Sequence, residues 1–332
     1  MPDEAEYFRK IAESLKSDID KAYQPGTTLR DAHPKNIACV KAEFIVEPLL
    51  PEELRIGVFK EQRTYPAYIR FSNASTTIQA DGRRDIRGMA IKILGVEGEK
   101  LLESEKHETT QDFLLISTPR FINEGVIDFY ELLEAVRAGG LKVVGYFLNP
   151  LNSHLRVLWR VVSSLKKHGN LLEVQFWSTT PYQFGSKVVK YSARPHQNPV
   201  TKIPKNPSDN YLSEVMKQHL SGQDASFDFM VQFQTDPQQM PIEDASVRWD
   251  EKASPFRKVA TIKIPAQTID SAEQIKFAEN LSFTPWHSLP EHAPLGSINR
   301  ARRVVYEIIS TYRHDRNNEP RREPTVEEYY LA

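Results

Sequence analysis

CVKAEFIVE (Cys39–Glu47), AYIRFSN (Ala67–Asn73), GMAIKIL (Gly88–Leu94) and DFLLIS (Asp112–Ser117) decide the fold. The first three alternate in the two-residue period of half-buried strands and are rich in β-branched and aromatic residues. The fourth is a short apolar run, of strand rather than helix length. The same texture returns in VQFWSTTPY (174–182), FGSKVVKYSARP (184–195), FDFMVQFQ (227–234) and RKVATIKIP (257–265), with Pro- and Asn-rich breaks between them. Eight strand-like segments, mostly sequential neighbours with helices interleaved and appended, predict an α+β chain. The expected architecture is an antiparallel eight-stranded β-barrel with surrounding and C-terminal helices. A doubly wound parallel sheet would need regular strand–helix alternation, which is missing.

Working outward, Phe8, Ile11, Leu15, Ile19 and Ala22 recur at three- and four-residue steps and predict an amphipathic helix over 4–22, stopped by Pro25-Gly26. A helical block is expected from Asn123 to His168, clearest in NEGVIDFYELLEAV (Asn123–Val136). Further helices are predicted over 208–220, 270–281 and 297–312. The segment from His314 onward is polar and proline-containing, the pattern of an arm or mobile tail. This divides the chain into an N-terminal helical arm (1–26), one barrel domain with its helical segments (27–315) and a C-terminal tail (316–332).

The 332 residues carry a net charge of −1, with basic and acidic residues interspersed. A nucleic-acid binder would show a clustered basic excess. The start, MPDEAEYFRK, lacks the apolar stretch of a secretory signal, and no run approaches the roughly 20 apolar residues of a membrane helix. A cytoplasmic protein without an integral membrane segment is expected. The single cysteine, Cys39, excludes an internal disulfide framework and reads as a buried, inert thiol. No G-x-G-x-x-G follows a strand and no Walker or H-E-x-x-H motif occurs, so nucleotide and zinc-hydrolase chemistry lose support. His287 and His292 are expected to order the loop before the last long helix.

Chemistry gathers on ARRVVYEIISTYRHD (Ala301–Asp315). Arg302, Tyr306 and Arg313 stand at steps of four and seven, on one helical face. A phenol is a poor ligand at its reference pKa of about 10, and a guanidinium one turn earlier favours the ionised form. The second arginine is placed to pair with an anion, which Arg does in bidentate fashion. At the other end, LRDAHPK (Leu29–Lys35) places Arg30 three residues before His33 and Lys35 two after it. YIRFSN carries Arg70 and Ser72, and DIRGMAIK (Asp85–Lys92) carries Asp85, Arg87 and Gly88.

Taken in order, these segments resemble the catalase family: Arg-x-x-His-x-Lys, then Arg-Phe-Ser, then Asp-x-Arg-Gly, and a late Arg-x-x-x-Tyr with Arg seven residues on. They span residues 28–315. The resemblance implies haem b (iron protoporphyrin IX) as cofactor, with Tyr306 as the axial iron ligand and Arg302 as its charge partner. It makes Arg30, Arg70 and Arg313 the partners of the haem propionates, His33 the distal base and Ser72 the hydroxyl that orients it. Phe71 and Phe113 are candidates for packing near the macrocycle. Strongly catalatic relatives carry an asparagine in an Asn-x-Thr-Pro-like stretch opposite the distal histidine. The corresponding stretch is taken as ETTQDFLLIS (Glu108–Ser117), where Thr109, Thr110 or Gln111 would stand in. KNIACV (Lys35–Val40) also replaces a glycine-rich run, and the compact length resembles a bacterial-type branch, some of whose members turn over lipid hydroperoxides.

The implied function is a haem peroxide-processing enzyme of catalase/peroxidase type, an oxidoreductase acting on hydrogen peroxide or an organic hydroperoxide in oxidative stress. Two alternatives stand beside it: an allene-oxide-synthase-like isomerase or lyase of fatty-acid hydroperoxides, and a haem-binding barrel used for sensing or storage. The expected partner is a small-molecule peroxide and not a nucleic acid. A homodimer is the expected assembly, and nothing in the sequence supports NADPH.

Overall fold

The computed structural model describes residues 4–148 and 154–331. Residues 1–3 of the predicted N-terminal arm, 149–153 of the helical block and 332 of the tail lie outside the described residues. Among the described residues nine strands make one antiparallel sheet: β1 (Asn36–Val46), β2 (Thr64–Asn73), β3 (Arg87–Leu94), β4 (Thr110–Ile116), β5 (Phe176–Trp177), β6 (Tyr182–Phe184), β7 (Lys187–Pro195), β8 (Ala225–Phe233) and β9 (Arg257–Ile264). Their order is β5-β4-β3-β2-β1-β9-β8-β7-β6, and β5 also pairs with β7. That pairing closes eight strands into a barrel and leaves β6 as an outer strand beside β7. The predicted run 174–182 splits into β5 and β6 because Thr179 turns the chain with a φ of 59° and Thr180 N–H donates back to Ser178 O at 2.7 Å.

Strand alternation sorts the residues. Val40, Ala42 and Phe44 of β1, Ala67, Ile69 and Phe71 of β2, Met89, Ile91 and Ile93 of β3, and Phe113 and Leu115 of β4 face the barrel interior and are buried. The interior is filled by aromatic rings, with Phe113 4.8 Å from Phe229 and 5.1 Å from Tyr191, and Phe44 5.1 Å from Phe229, centroid to centroid. It is a packed core, so a large ligand has to bind outside it. Pro66 is tolerated within β2 because β3 begins pairing only at Ala67, so the missing N–H costs no ladder bond there.

Eight helices among the described residues surround the barrel: α1 (Glu4–Ala22), α2 (Val126–Ala138), α3 (Gly140–Leu148), α4 (Leu155–Ser164), α5 (Tyr211–Leu220), α6 (Ala272–Asn280), α7 (Ser297–Asn317) and α8 (Val326–Leu331). Phe8 and Ile11 of α1 pack with Val126 of α2 and Ala301 and Val305 of α7, so the N-terminal arm braces the long helix. The outer barrel face at Cys39, Tyr68 and Leu94 is covered by Ala278 of α6 and Leu281 behind it, and by Tyr329 of α8. Burial pushes the Cys39 thiol up to about 12. The tail is docked rather than loose: Tyr329 donates to Ala42 O at 3.1 Å, and Glu323 is buried against Lys92.

Candidate functional site

Where α6 and α8 do not cover it, the outer face stays open. Along the otherwise buried β3 only Ala90 is partly exposed, and along β4 only Leu114 and Ile116. Tyr306 and Arg302 on α7 are also partly exposed. These partly exposed side chains of the barrel exterior and of α7 delimit a candidate slot.

His33 stands at one end of it. The residue holds a φ of 61°, a left-handed conformation uncommon outside glycine and concentrated at functional sites. Two contacts fix it: the His33 carbonyl accepts from Arg70 Nη2 at 3.0 Å, and Nδ1 hydrogen-bonds Ser72 Oγ at 2.9 Å. Ser72 pairs across the ladder with Gly88. A Cβ on Gly88 would lie 2.7 Å from His33 Cε1 and Nδ1 and from Ser72 Oγ, so glycine is what lets the imidazole lie against the strand. Burial, reinforced by Arg70, Arg302 and Arg30, pulls the imidazole down to about 3. At neutral pH it is an uncharged ring held at Nδ1 by Ser72 Oγ; in the tautomer whose Nδ1–H donates to that hydroxyl, Nε2 is a proton acceptor.

On α7, the Arg302 guanidinium lies 5.0 Å from the Tyr306 ring centre and donates to Asn299 Oδ1 at 3.2 Å. Asn299 is itself fully buried, held by donations to Pro181 O and Leu295 O at 3.1 and 3.0 Å. Burial opposes the Arg302 charge, yet the phenols of Tyr306 and Tyr182 outweigh it and raise Arg302 above its ordinary value.

Arg30, Arg70 and Arg313 converge on α6. Arg30 pairs with Glu279 at 3.0 Å and donates to Ala278 O at 3.1 Å and to Leu281 O; Arg70 lies 3.8 Å from the same Glu279; Arg313 donates to Glu279 O and contacts His314 Nε2 at 2.9 Å. The carbonyls at the C-terminal end of α6 offer partial negative charge, but among the described residues only one carboxylate pairs within this group of three guanidinium groups. Burial, with the repulsion of Arg30, pulls Arg70 down to about 9 and Arg313 down to about 8. Arg70 Nε is buried without a hydrogen-bond partner. Three guanidinium groups beside one carboxylate leave the cluster with an excess of about two positive charges.

The structure thus brings His33, Ser72, Arg30, Arg70, Arg302, Tyr306 and Arg313 to one slot and its rim. Other expected residues go elsewhere. Thr110 pairs with Leu94, whereas Gly88, beside His33, pairs with Ile116. Six residues of strand put Thr110 roughly 20 Å from the imidazole end. Its hydroxyl donates to Glu323 at 2.7 Å and contacts His287 Nε2, and Thr109 is exposed beyond it. Gln111 is buried there too, accepting from Leu289 N at 3.0 Å. The residues facing His33 across the strands are instead Ile116-Ser117-Thr118-Pro119, which keeps the Thr-Pro of the expected pattern with isoleucine in the asparagine position. That dipeptide was the available signal. Phe113 and Phe71 are also corrected: both point into the barrel core, not toward the slot. His292 likewise sits in that core, on Tyr191 Oη at 3.0 Å, and His287 joins the Thr110 cluster. Glu279 and Asn299 were invisible to motif reading, because each acts through a partner distant in the chain or inside its own helix.

No protein-family model and no curated protein matches the sequence. Solved structures do. A fungal catalase superposes with a TM-score of 0.69 at 16% identity, over 90% of this chain and 61% of its own. A bacterial catalase gives 0.65 at 15%, over 93% and 62%. Catalase A from Saccharomyces cerevisiae gives 0.66 at 16%, over 90% and 63%. The chain therefore spans little more than three-fifths of the length of these structures. Closed barrel, bracing helices and superposition agree: this chain has the catalase fold.

Proposed function

We propose that the chain binds haem in the slot between the outer face of β2–β4 and α7 and acts there on peroxides. The observation that carries this reading is the buried arginine cluster, whose excess over Glu279 equals the two carboxylates of a haem, set beside Arg302–Tyr306 on one wall and His33 on the other. Arg30, Arg70 and Arg313 would hold the propionates, and Tyr306 would hold the iron. When bound, such an iron porphyrin supplies a redox centre at which an O–O bond can be broken.

The chain's own part is positioning and proton handling. Arg302, fixed by Asn299, would stand as the charge partner of the Tyr306 side chain and hold it in place. Ser72 and Gly88 set the plane of His33. As a neutral base, His33 accepts the proton from one peroxide oxygen and returns it to the departing one, a role typically worth about 100-fold or more. Substrate choice has its own observation: Ala90, Leu114 and Ile116 make the wall near His33 apolar and offer no hydrogen-bond donor where an asparagine was expected. This favours an organic, lipid-like hydroperoxide over hydrogen peroxide, and keeps isomerisation of such a hydroperoxide as the second reading.

The test is the visible spectrum of the haem-reconstituted chain beside Tyr306→Phe, followed by turnover of hydrogen peroxide and of a polyunsaturated hydroperoxide. We expect one equivalent of haem with a ferric–phenolate pattern that the variant loses, turnover that His33→Ala lowers at least about 100-fold, and preference for the organic substrate. A colourless wild type, or a spectrum indifferent to Tyr306, overturns the reading.

A further inference from the structure

Six exposed apolar side chains lie outside the slot, on the consecutive helices α3 and α4. Leu141, Val144, Leu148, Leu155, Trp159 and Val162 are each 50–88% exposed. The α3 sequence GLKVVGYFL is strongly apolar, yet none of its side chains is buried. On α4, Leu155, Trp159 and Val162 fall at i, i+4 and i+7 and share one outward face, while Val157 and Ser164 are buried. An apolar face of this kind on a water-exposed protein signals something that covers it.

Charge identifies the cover. Between Ala135 and Leu172 the sequence has no Asp or Glu and six Lys or Arg. Arg137 and Arg160 reach back to Asp18 and Glu124. Lys142, Arg156, Lys166 and Lys167 are exposed and have no acidic partner among the described residues. A symmetric contact with a second copy would press this cationic rim against itself. An anionic lipid headgroup layer would neutralise it while the acyl boundary takes up the apolar face, the arrangement of interfacial amphipathic helices.

We propose that α3 and α4 dock the protein flat on an anionic lipid surface. No helix among the described residues is long and apolar enough to cross a membrane, so docking is peripheral. The surface adjoins the slot: Ser164, the last residue of α4, shares a hydrogen bond of 3.2 Å with Thr118, two residues past Ile116. The inference stands on this patch alone and does not rest on haem binding.

The test is co-sedimentation of the full chain with vesicles of phosphatidylcholine alone and of phosphatidylcholine with phosphatidylglycerol. We expect pelleting with the anionic vesicles only, release at about 0.5 M salt, and at least about a tenfold loss of binding in Trp159→Glu and in Lys166→Glu/Lys167→Glu with unchanged circular dichroism. Should a variant misfold, the wild type's dependence on lipid charge and salt decides alone. No binding to anionic vesicles, or binding that ignores lipid charge, overturns the proposal. So does a concentration-dependent dimer that Trp159→Glu disperses in place of vesicle binding, which would assign the patch to a second copy.

Discussion

Two clusters of buried charge sit on the same outer face of the barrel and differ in balance. Around Glu279, Arg30 and Arg70 share one carboxylate, Arg313 bonds the backbone carbonyl of the same residue, and burial pulls all three arginines below their ordinary range. Around Lys92, the amine pairs with Asp112 at 2.7 Å and with Glu323, Arg321 pairs with Glu105, and His287 lies between Glu105 and Thr110. That cluster is within one charge of neutral, and Lys92 is raised above its ordinary value, its carboxylate partners outweighing burial. Glu105, His287 and Glu323 also converge closely enough to suggest a metal, but Lys92 and Arg321 already supply the positive charge. Neutrality marks a staple that ties the C-terminal tail to the sheet; the excess is what supports the proposed ligand site.

The largest expected effect breaks the neutral cluster. Lys92→Met strands Asp112 and Glu323 and should cost about 3–5 kcal/mol of unfolding free energy. Arg313→Met in haem-free protein should change it by under about 1 kcal/mol, because it relieves repulsion as it removes hydrogen bonds. Haem affinity should respond the other way, falling at least about tenfold in Arg313→Met and staying unchanged in folded Lys92→Met. Urea titrations of both variants with and without haem read all four values, and equal effects in the two clusters would remove the distinction between them.

Gly88→Ala tests the ligand side without altering charge. Its methyl group occupies the space of the imidazole, so peroxide turnover should fall about 100-fold, as for loss of the base, while haem remains bound. Retained turnover would show that the His33–Ser72–Gly88 packing is incidental.

Acid gives the smallest contrast. His314 is held down to about 4 by burial and Arg313, and His33 down to about 3. Unfolded, both bind a proton near 6.5, so the unfolded state takes up more protons as pH falls and stability declines from 6.5 downward. The slope is about 1 kcal/mol per histidine per pH unit. Glu105, held to about 2 by His287 and Arg321 against burial, keeps its contribution above its unfolded value of 4.5 and loses it only as pH drops toward 2. Haem-free protein should therefore start to weaken near pH 6.5, by the urea midpoint; a flat profile down to pH 5 would place the histidines in water.

Much of this was legible in the sequence, and the failures have a common cause. The stripe at Phe8, Ile11, Leu15 and Ile19 gave α1, and alternation gave the strands. Spacing on one helix put Arg302, Tyr306 and Arg313 together. What spacing could not supply was parity and register. Phe113 and Leu114 are adjacent, yet one fills the core and the other lines the slot, because strand side chains alternate faces. Thr110 and Ile116 share a face but stand six residues apart, and only pairing with β3 says which meets His33. Glu279 joins Arg30 across 249 residues, a separation over which local pattern carries no information.

The barrel closes through β5, which meets β4 at a single residue pair, Ile116 with Trp177, and β7 at two. Elsewhere neighbouring strands are laced over longer ladders. A cylinder sewn everywhere but along one short stitch yields along that stitch, since local opening follows the number of bonds to be broken. Because the stitch ends at Ile116, the panel of the wall beside the imidazole is the one held by the fewest ladder pairs.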